Sequence, residues 1–294
     1  MKQNIFIGTA GWSYKDWLNV FYPKTQSQSF DWLTFYCQYF NCVEVNSTYY
    51  TYISKQVAEN WINKIENVED FQFTVKLNKD FTHLRKFKSE EINKSEEVFQ
   101  NLAFHGRLGG ILLQFPYSFQ LSQTNLQYLL KVCSIFEQYN LIVELRHQSW
   151  IKEEILNCFS ENRLNLCLID QPEIGKSFSL KSILTYKTLY VRLHGRNEEA
   201  WESSVRNFGK QQNYEEQNER YNYLYSLSEL IEIEQQLEDS IFKAEEVYFI
   251  TNNHPKGNAV ANALELKYLL KGRERVEIPP TLNLNFKNLN MIKK

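Results

Sequence analysis

The sequence has few cysteines, no long apolar run and almost no excess charge. Its five cysteines form no CxxC pair and no zinc-type spacing. Their odd number and apolar neighbours are typical of reduced thiols in a cytoplasmic protein. No apolar stretch approaches the ~18 residues of a membrane-spanning helix, and MKQNIFIGTAGW is too weakly apolar for a signal peptide. We therefore expect a soluble cytoplasmic protein that has no membrane partner.

The chain also lacks the features that mark nucleic-acid-binding proteins and dinucleotide-binding proteins. Its formal net charge of −2 provides no global positive field for nucleic acid, which makes that partner less favoured. No GxGxxG string follows the first apolar run, so no organic cofactor is indicated. No internal repeat, Gly/Ser linker or Pro-rich hinge divides the chain, and we predict one domain over residues 1–294.

Short apolar or β-branched runs recur along the chain, each followed by a longer amphipathic stretch. Runs such as LIVEL and GILLQ are typical of strands covered on both faces. About eight strand–helix units predict an α/β fold, a single (β/α)8 TIM barrel. The predicted strands are Ile5–Gly8, Val43–Val45, Phe71–Val75, Gly110–Gln114, Leu141–Leu145, Leu166–Ile169, Leu189–Leu193 and Val247–Thr251. Predicted helices include Phe30–Phe40, Val57–Ile65, Ser89–Phe104, Asn125–Tyr139, Glu153–Glu161 and Asn258–Leu270.

The connection between predicted strands seven and eight, residues 195–246, is extended to about twice the usual crossover length. It carries the aromatic residues Trp201, Phe208, Tyr214, Tyr221, Tyr223 and Tyr225. Long connections on the catalytic face of a barrel can close over a ligand, so its first part is a candidate lid. The alternative is a helical insertion without a role in binding, and both interpretations stay open.

A set of local strings lies at the predicted strand ends. They are GTAGWSYKDW with FYP, VEVNSTYY, LLQFP, ELRHQSW, the D-x-P at Asp170–Pro172, VRLHGR and TNNHPKGNAVANA. In this order the set resembles the DUF72 or YecE-like family, from Ile7 to about Leu269. The resemblance implies a TIM barrel and no particular activity. Family members often have Gly where this chain has Asn19, and Pro near Ile53–Ser54, departures that affect loop shape.

Polar residues follow nearly every predicted strand. Because side chains alternate along a strand, Glu44 shares a face with Asn46, Glu144 with Arg146, and Arg192 with His194. Inward-facing polar residues at the C-terminal strand ends form the site of a TIM barrel, and burying so many without partners is costly. The candidate site residues are Trp12, Glu44, Asn46, Lys76, Gln114, Glu144, Arg146, Asp170, Arg192, His194, Asn252 and Asn253.

Glu44, Glu144 and His194 are the candidate catalytic residues. Paired to Arg146, Glu144 would stay ionised and could serve as a base. Glu44 has no charged neighbour in its own motif, so burial would raise its pKa and suit it to act as a general acid. Two alternatives stay open: a purely structural Glu144–Arg146 ion pair, and a Glu44 carboxylate held by backbone amides.

The remaining candidates suit substrate binding. Arg192 with Asn252 and Asn253 lies where barrels often hold phosphate, next to a helix that opens at HPKGN. The alternative there is a helix cap made by Asn258. Trp12, in the aromatic first loop, could stack on a sugar or a base, or staple the loop.

A metal site has little support in the sequence. Glu44, Glu144, Asp170 and His194 could supply scattered ligands for a divalent metal. No HxH or HExxH string accompanies them, however.

These residues favour an enzyme of hydrolase or isomerase type that acts on a small polar, sugar-like or phosphorylated compound. One alternative is nucleic-acid binding or processing through a basic rim, against which the near-neutral charge counts. That rim would consist of Lys76, Lys79, Arg85, Lys86 and Lys88. Another alternative is a non-catalytic barrel that binds a small ligand.

Overall fold

The computed structural model describes residues 3–25, 27–206 and 218–294, so Phe208 and Tyr214 of the candidate lid lie outside the described residues. Eight parallel strands pair in chain order, and the last pairs with the first to close a barrel, which confirms the predicted (β/α)8 architecture. The strands are β1 Asn4–Ala10, β2 Cys42–Val45, β3 Gln72–Lys76, β4 Leu108–Gln114, β5 Leu141–Glu144, β6 Asn165–Asp170, β7 Thr188–Leu193 and β8 Glu246–Thr251.

Helices surround the barrel, and three have the predicted bounds: α4 Ser89–Phe104, α6 Glu153–Glu161 and α9 Asn258–Leu270. The expected helix Phe30–Phe40 is shorter, because Asp31 ends the extended segment and accepts a hydrogen bond from the Thr34 amide as an N-cap. The other helices that we name are α1 Trp32–Tyr36, α2 Lys55–Lys64, α3 Lys79–Thr82, α5 Gln123–Ile135, α7 Glu198–Arg206, α8 Leu227–Lys243 and α10 Pro280–Asn285.

The strand register decides which side chains enter the barrel. Glu44 pairs with Thr74, Gln114 pairs with Glu144, and Arg192 pairs with Ile169. Paired residues of a parallel sheet face the same side, and residues two apart along a strand share that side. The register therefore brings the ends of β2, β3, β4, β5 and β7 to one level at the C-terminal end of the barrel.

The barrel interior below that level is filled. The Phe6 ring stacks on Tyr248 at 4.6 Å between centroids, and Tyr248 lies 5.6 Å from Tyr190. The Tyr190 and Thr74 hydroxyl oxygens are 2.7 Å apart across the barrel. Because aromatic rings close the lower barrel, a ligand has access to the buried polar groups from the C-terminal mouth.

Two further observations concern the surface of the barrel. Asn19 has a φ of 61°, a left-handed conformation that Asn tolerates better than most residues, which explains why glycine suits this loop position. None of the helices in the described residues is long and apolar enough to cross a membrane.

Candidate active site at the C-terminal mouth of the barrel

A chain of buried ion pairs crosses the barrel mouth. Arg192 Nη2 donates to Glu44 Oε1 at 2.6 Å, and Arg192 Nη1 donates to Glu144 Oε2 at 2.5 Å. Glu144 Oε1 in turn accepts from Arg146 Nε at 2.5 Å. Both carboxylates are fully buried, and Arg192 is 1% exposed. Glu44 has no charged neighbour in its own motif, but barrel closure places the β7 guanidinium against it.

The arginines and glutamates of these ion pairs keep one another ionised. Burial alone would raise the pKa of Glu144, but Arg146, Arg192 and Lys76 lower it to about 2. Burial likewise opposes the charge on Arg192, yet Glu144 and Glu44 hold its pKa well above the ordinary value. Tyr190 donates to the second oxygen of Glu44 at 2.9 Å. The Glu144 carboxylate is therefore ionised and could not donate a proton near neutral pH.

His194 lies beside this chain as a neutral imidazole. Its Nε2 is 3.2 Å from Arg146 Nη2 and 3.4 Å from Arg192 Nη1. Burial, together with the charges of these two arginines, holds the pKa of His194 well below its ordinary value. Nε2 faces two guanidinium donors, and Nδ1 lies 2.8 Å from Asn252 Nδ2, an amide nitrogen that also donates. His194 therefore orients groups at the mouth and does not carry charge.

Lys76, the last residue of β3, supplies a further cation at the mouth. It is half-buried, and its Nζ lies 4.2 Å from the centroid of the Tyr49 ring. In the part of the chain that the structure describes, this ammonium makes no hydrogen bond or ion pair. Burial and the charge of Arg192 lower the pKa of Lys76 to about 7, against the opposing effect of Glu144 and Glu44. A substantial fraction of Lys76 is therefore a free amine at neutral pH.

Two residues that sequence reasoning did not select complete the surroundings of Lys76. Tyr49 comes from the short turn after β2, and its ring contacts the His83 ring edge-on at 5.1 Å. Burial, with the charge of Lys76 next in importance, lowers the pKa of His83 to about 4. The motif VEVNSTYY indicated that this loop lies near the site. No rule of sequence spacing predicts, however, that an aromatic residue in a turn contacts a lysine on the next strand.

The described ends of the long connection lie against the mouth. The Trp201 and Tyr221 rings are 6.3 Å and 5.9 Å from the His194 ring. Arg220 lies over both rings, 5.1 Å from Trp201 and 4.7 Å from Tyr221, and its charge contributes to the low pKa of His194. The lid hypothesis requires contacts of this kind between the connection and the mouth. Closure of the connection over a ligand stays a prediction.

The structure brings together Glu44, Lys76, Glu144, Arg146, Arg192, His194 and Asn252, which we call the mouth cluster. Asp170 and Asn253 face the other side of the sheet, because Asp170 pairs with Leu193 whereas Ile169 pairs with inward-facing Arg192. Asp170 is held by Arg196 and Tyr225, and Asn253 donates to the Tyr223 carbonyl at 2.8 Å.

The other predicted binding residues occupy the rim. Gln114 is half-buried on the inward face beside Glu144, and half-buried Asn46 comes directly after β2. Neither amide makes a side-chain hydrogen bond within the described ranges. Trp12 packs edge-on against Trp61 at 5.5 Å, a contact that holds the first loop. Asn46 and Gln114 therefore remain available to a ligand.

At the predicted anion site near the start of α9, a carboxylate of the protein itself accepts a backbone hydrogen bond. The Lys256 backbone amide donates to the Asp16 carboxylate at 2.8 Å, so a side chain of the first loop satisfies this turn. Asn258 does not cap the helix either, because the N-cap position is Gly257, whose φ is 80°.

The four suggested metal ligands do not form a cluster. Glu44 and Glu144 face Arg192, while Asp170 lies on the outer face of the sheet. Among the described residues no three His, Cys, Asp or Glu side chains are grouped so that they could hold a metal ion. The mouth cluster can instead move protons and bind an anion, since it combines a lysine with an available amine, ionised carboxylates and guanidinium groups.

Comparison with known proteins identifies the family. The model of a family described as "Protein of unknown function DUF72" matches residues 6–283. The UPF0759 protein YunF of Bacillus subtilis is 30% identical over 280 residues, covering 90% of this chain and 94% of YunF. UPF0759 protein YecE of Escherichia coli is 25% identical over 158 residues, about half of each chain.

A solved structure agrees with this relationship. The crystal structure of a DUF72 family protein (TM1631) from Thermotoga maritima has a TM-score of 0.77 and 32% identity to this chain. It matches 91% of this chain and 99% of its own. The chain therefore belongs to the DUF72 family, as the ordered motifs predicted, and has the closed parallel barrel seen in that relative.

Proposed function

We propose that this barrel is an enzyme of isomerase or hydrolase type that binds a small, polar, anionic compound at its C-terminal mouth. Lys76 is the group that takes a proton from the substrate and returns it. Glu144 and Glu44 stabilise positive charge at the reacting centre, and Arg146 binds the anionic part of the substrate. The geometry favours isomerisation by proton transfer, because the Glu144 carboxylate is already ionised and cannot serve as the acid of a hydrolase.

The observation that carries this proposal is the environment of Lys76. A half-buried ammonium with only an aromatic contact is expensive to maintain unless the site uses it. Its pKa of about 7 is that of a general acid–base group matched to neutral pH. A structural lysine would be expected to pair with Glu44 or Glu144, yet both carboxylates are taken by arginines.

The charge balance favours an anionic ligand. Arg146, Arg192 and protonated Lys76 are the cations of the mouth cluster, which contains two carboxylates. When Lys76 is protonated these residues carry one excess positive charge, which a phosphate or carboxylate group would compensate. Arg192 is enclosed by its two glutamates, so this geometry supports Arg146 over Arg192 as the anion clamp.

Thermal unfolding with a ligand panel tests the proposal. The panel contains sugar phosphates, small carboxylates, matched neutral sugars and a single-stranded oligonucleotide, measured with wild type, Lys76→Met, Arg146→Met and the exposed-lysine control Lys131→Met. A ligand that binds the folded state raises the unfolding midpoint by mass action. We expect an anionic compound to raise the midpoint of wild type and Lys131→Met, with a smaller shift for Arg146→Met.

Turnover is then measured on the compound that binds. In D2O, wild type should exchange a carbon-bound proton of this ligand or convert it, and Lys76→Met should bind it without exchange. Binding without exchange by wild type would favour the non-catalytic ligand-binding barrel. Binding only to single-stranded nucleic acid, with a steep salt dependence, would favour that alternative. A panel that shifts neither wild type nor control would contradict the proposed function.

A further inference from the structure

Lys76 has the surroundings of a nucleophile as well as those of a base. Its amine ends an inward-facing row of β3, above Thr74, and lies over the face of the Tyr49 ring. The two nearest acidic groups, Glu44 and Glu144, are bound to arginines, so they influence Lys76 without forming an ion pair with it. The lone pair of the unprotonated amine therefore accepts no hydrogen bond from the described residues.

We propose that Lys76 forms an imine with a carbonyl compound that also carries a phosphate or carboxylate group. The inference rests on the proposed function and specifies its substrate class. The amine nitrogen attacks the carbonyl carbon and gives up one proton to the carbonyl oxygen; with a second proton from solvent, this oxygen leaves as water when the carbon–oxygen bond breaks. A carbon–nitrogen double bond forms, and no electrons are gained or lost overall.

The surroundings of Lys76 would stabilise the protonated imine. A protonated imine carries a permanent positive charge, which the Tyr49 ring face and the carboxylates of Glu44 and Glu144 stabilise. Arg146 follows β5, two strands away from Lys76 on β3, and can bind the anionic group of the same molecule. The iminium acidifies the neighbouring carbon; in this intermediate the Lys76 nitrogen is no longer a free base, so the ionised Glu144 carboxylate takes the proton and returns it to give the isomerised product.

Another lysine provides a matched control. Lys267 on α9 also has a lowered pKa, about 8, caused first by burial. It donates a hydrogen bond to the Tyr39 carbonyl at 2.6 Å and lies on the outer helix layer, outside the mouth cluster. A reaction driven by low pKa alone would label both lysines, whereas a substrate site would label Lys76 selectively.

The test traps the imine by reduction with sodium borohydride. Wild type, Lys76→Arg and Lys267→Arg are each incubated at pH 7 with pyridoxal 5′-phosphate at limiting concentration, pyruvate, glyceraldehyde 3-phosphate or ribose 5-phosphate. Intact mass and peptide mapping locate the reduced adduct. We expect at least about tenfold more adduct on Lys76 than on Lys267 or Lys131 with one or more of these anionic carbonyl compounds.

The controls separate this inference from the proposed function. Lys267→Arg should retain the adduct and Lys76→Arg should lose it while keeping a cooperative unfolding transition. Adducts spread evenly over lysines, or no adduct on Lys76 with any of the four compounds, would overturn the imine. If an anionic ligand still raised the unfolding midpoint in that case, the acid–base proposal would stand without the imine.

Discussion

Arg192 holds two buried carboxylates with a single guanidinium group. Its Nη1 and Nη2 atoms each bond one glutamate, and its Nε has no hydrogen-bond partner among the described residues. Removing water from three charges is costly, and the mutual attraction offsets that cost only while all three remain. Glu44, Arg192 and Glu144 therefore stabilise one another within the mouth cluster, whereas Lys76 forms no ion pair with any described residue.

The first prediction concerns this ion-pair chain. Arg192→Met should lower the free energy of unfolding by about 3–5 kcal/mol, because it leaves buried Glu44 without its cation and buried Glu144 with Arg146 alone. Arg192→Met combined with Glu44→Gln and Glu144→Gln should recover much of the loss. Urea unfolding at pH 7 measures both, with Lys187→Met as a control that breaks an exposed ion pair to Glu245. An Arg192→Met variant as stable as wild type would contradict the arrangement.

At the scale of elements, a second network attaches the long connection to the barrel. Arg196 Nε donates to Asp170 Oδ2 at 2.9 Å, and Tyr225 donates to the same oxygen at 2.6 Å. The Tyr225 hydroxyl also accepts from the Gly195 amide at 2.9 Å. One phenol thus links the end of β6, the residue after His194 and the segment that precedes α8.

The second prediction tests this link. Tyr225→Phe should leave the Gly195 amide without a partner and Asp170 Oδ2 with Arg196 alone, at a cost of about 1–3 kcal/mol. Hydrogen exchange at the Gly195 amide should become at least about tenfold faster. The control is Tyr268→Phe, at a half-buried position of α9. Unchanged exchange at Gly195 would show that the Tyr225 hydroxyl does not hold the connection.

Much of the element pattern could be predicted from the sequence because burial leaves local marks. Apolar runs located all eight strands, and amphipathic spacing located α4, α6 and α9 to the residue. Alternation also paired Glu144 with Arg146 and Arg192 with His194. It could not predict that Asp170 faces outward, because the absolute facing of a strand depends on the register with its neighbours. Within the described residues Lys76 lacks an ion pair because Arg192 and Arg146 bind the two carboxylates, and no local pattern encodes the pairing of Arg192 with glutamates on distant strands.

At the scale of the whole molecule, buried neutral histidines make the fold sensitive to acid. His194 is fully buried, and His254 is 8% exposed, stacked on Tyr14 at 4.4 Å. Burial lowers the pKa of His254 to about 4 and holds that of His194 well below its ordinary 6.5. The folded state therefore excludes protons that the unfolded chain binds below pH 6.5, and stability falls as the pH falls.

The third prediction places this loss between pH 6.5 and 4.5, above the range where ordinary carboxylates titrate. Each of the two histidines should lower the free energy of unfolding by up to about 1.4 kcal/mol per pH unit. Urea unfolding across this window measures the slope. His254→Gln should make the slope smaller, and His105→Gln, at an exposed position, should not. A His254→Gln slope equal to that of wild type would contradict the role of His254.

The central claim is that Lys76 is a free base at the barrel mouth, and an NMR titration of lysines labelled with carbon-13 at Cε tests it most directly. One resonance should titrate with a midpoint at about pH 7 and disappear in Lys76→Arg. A second, near pH 8, should disappear in Lys267→Arg and serve as an internal reference. If the resonance lost in Lys76→Arg instead titrated near the ordinary lysine value of about 10.4, the account of the site would be contradicted.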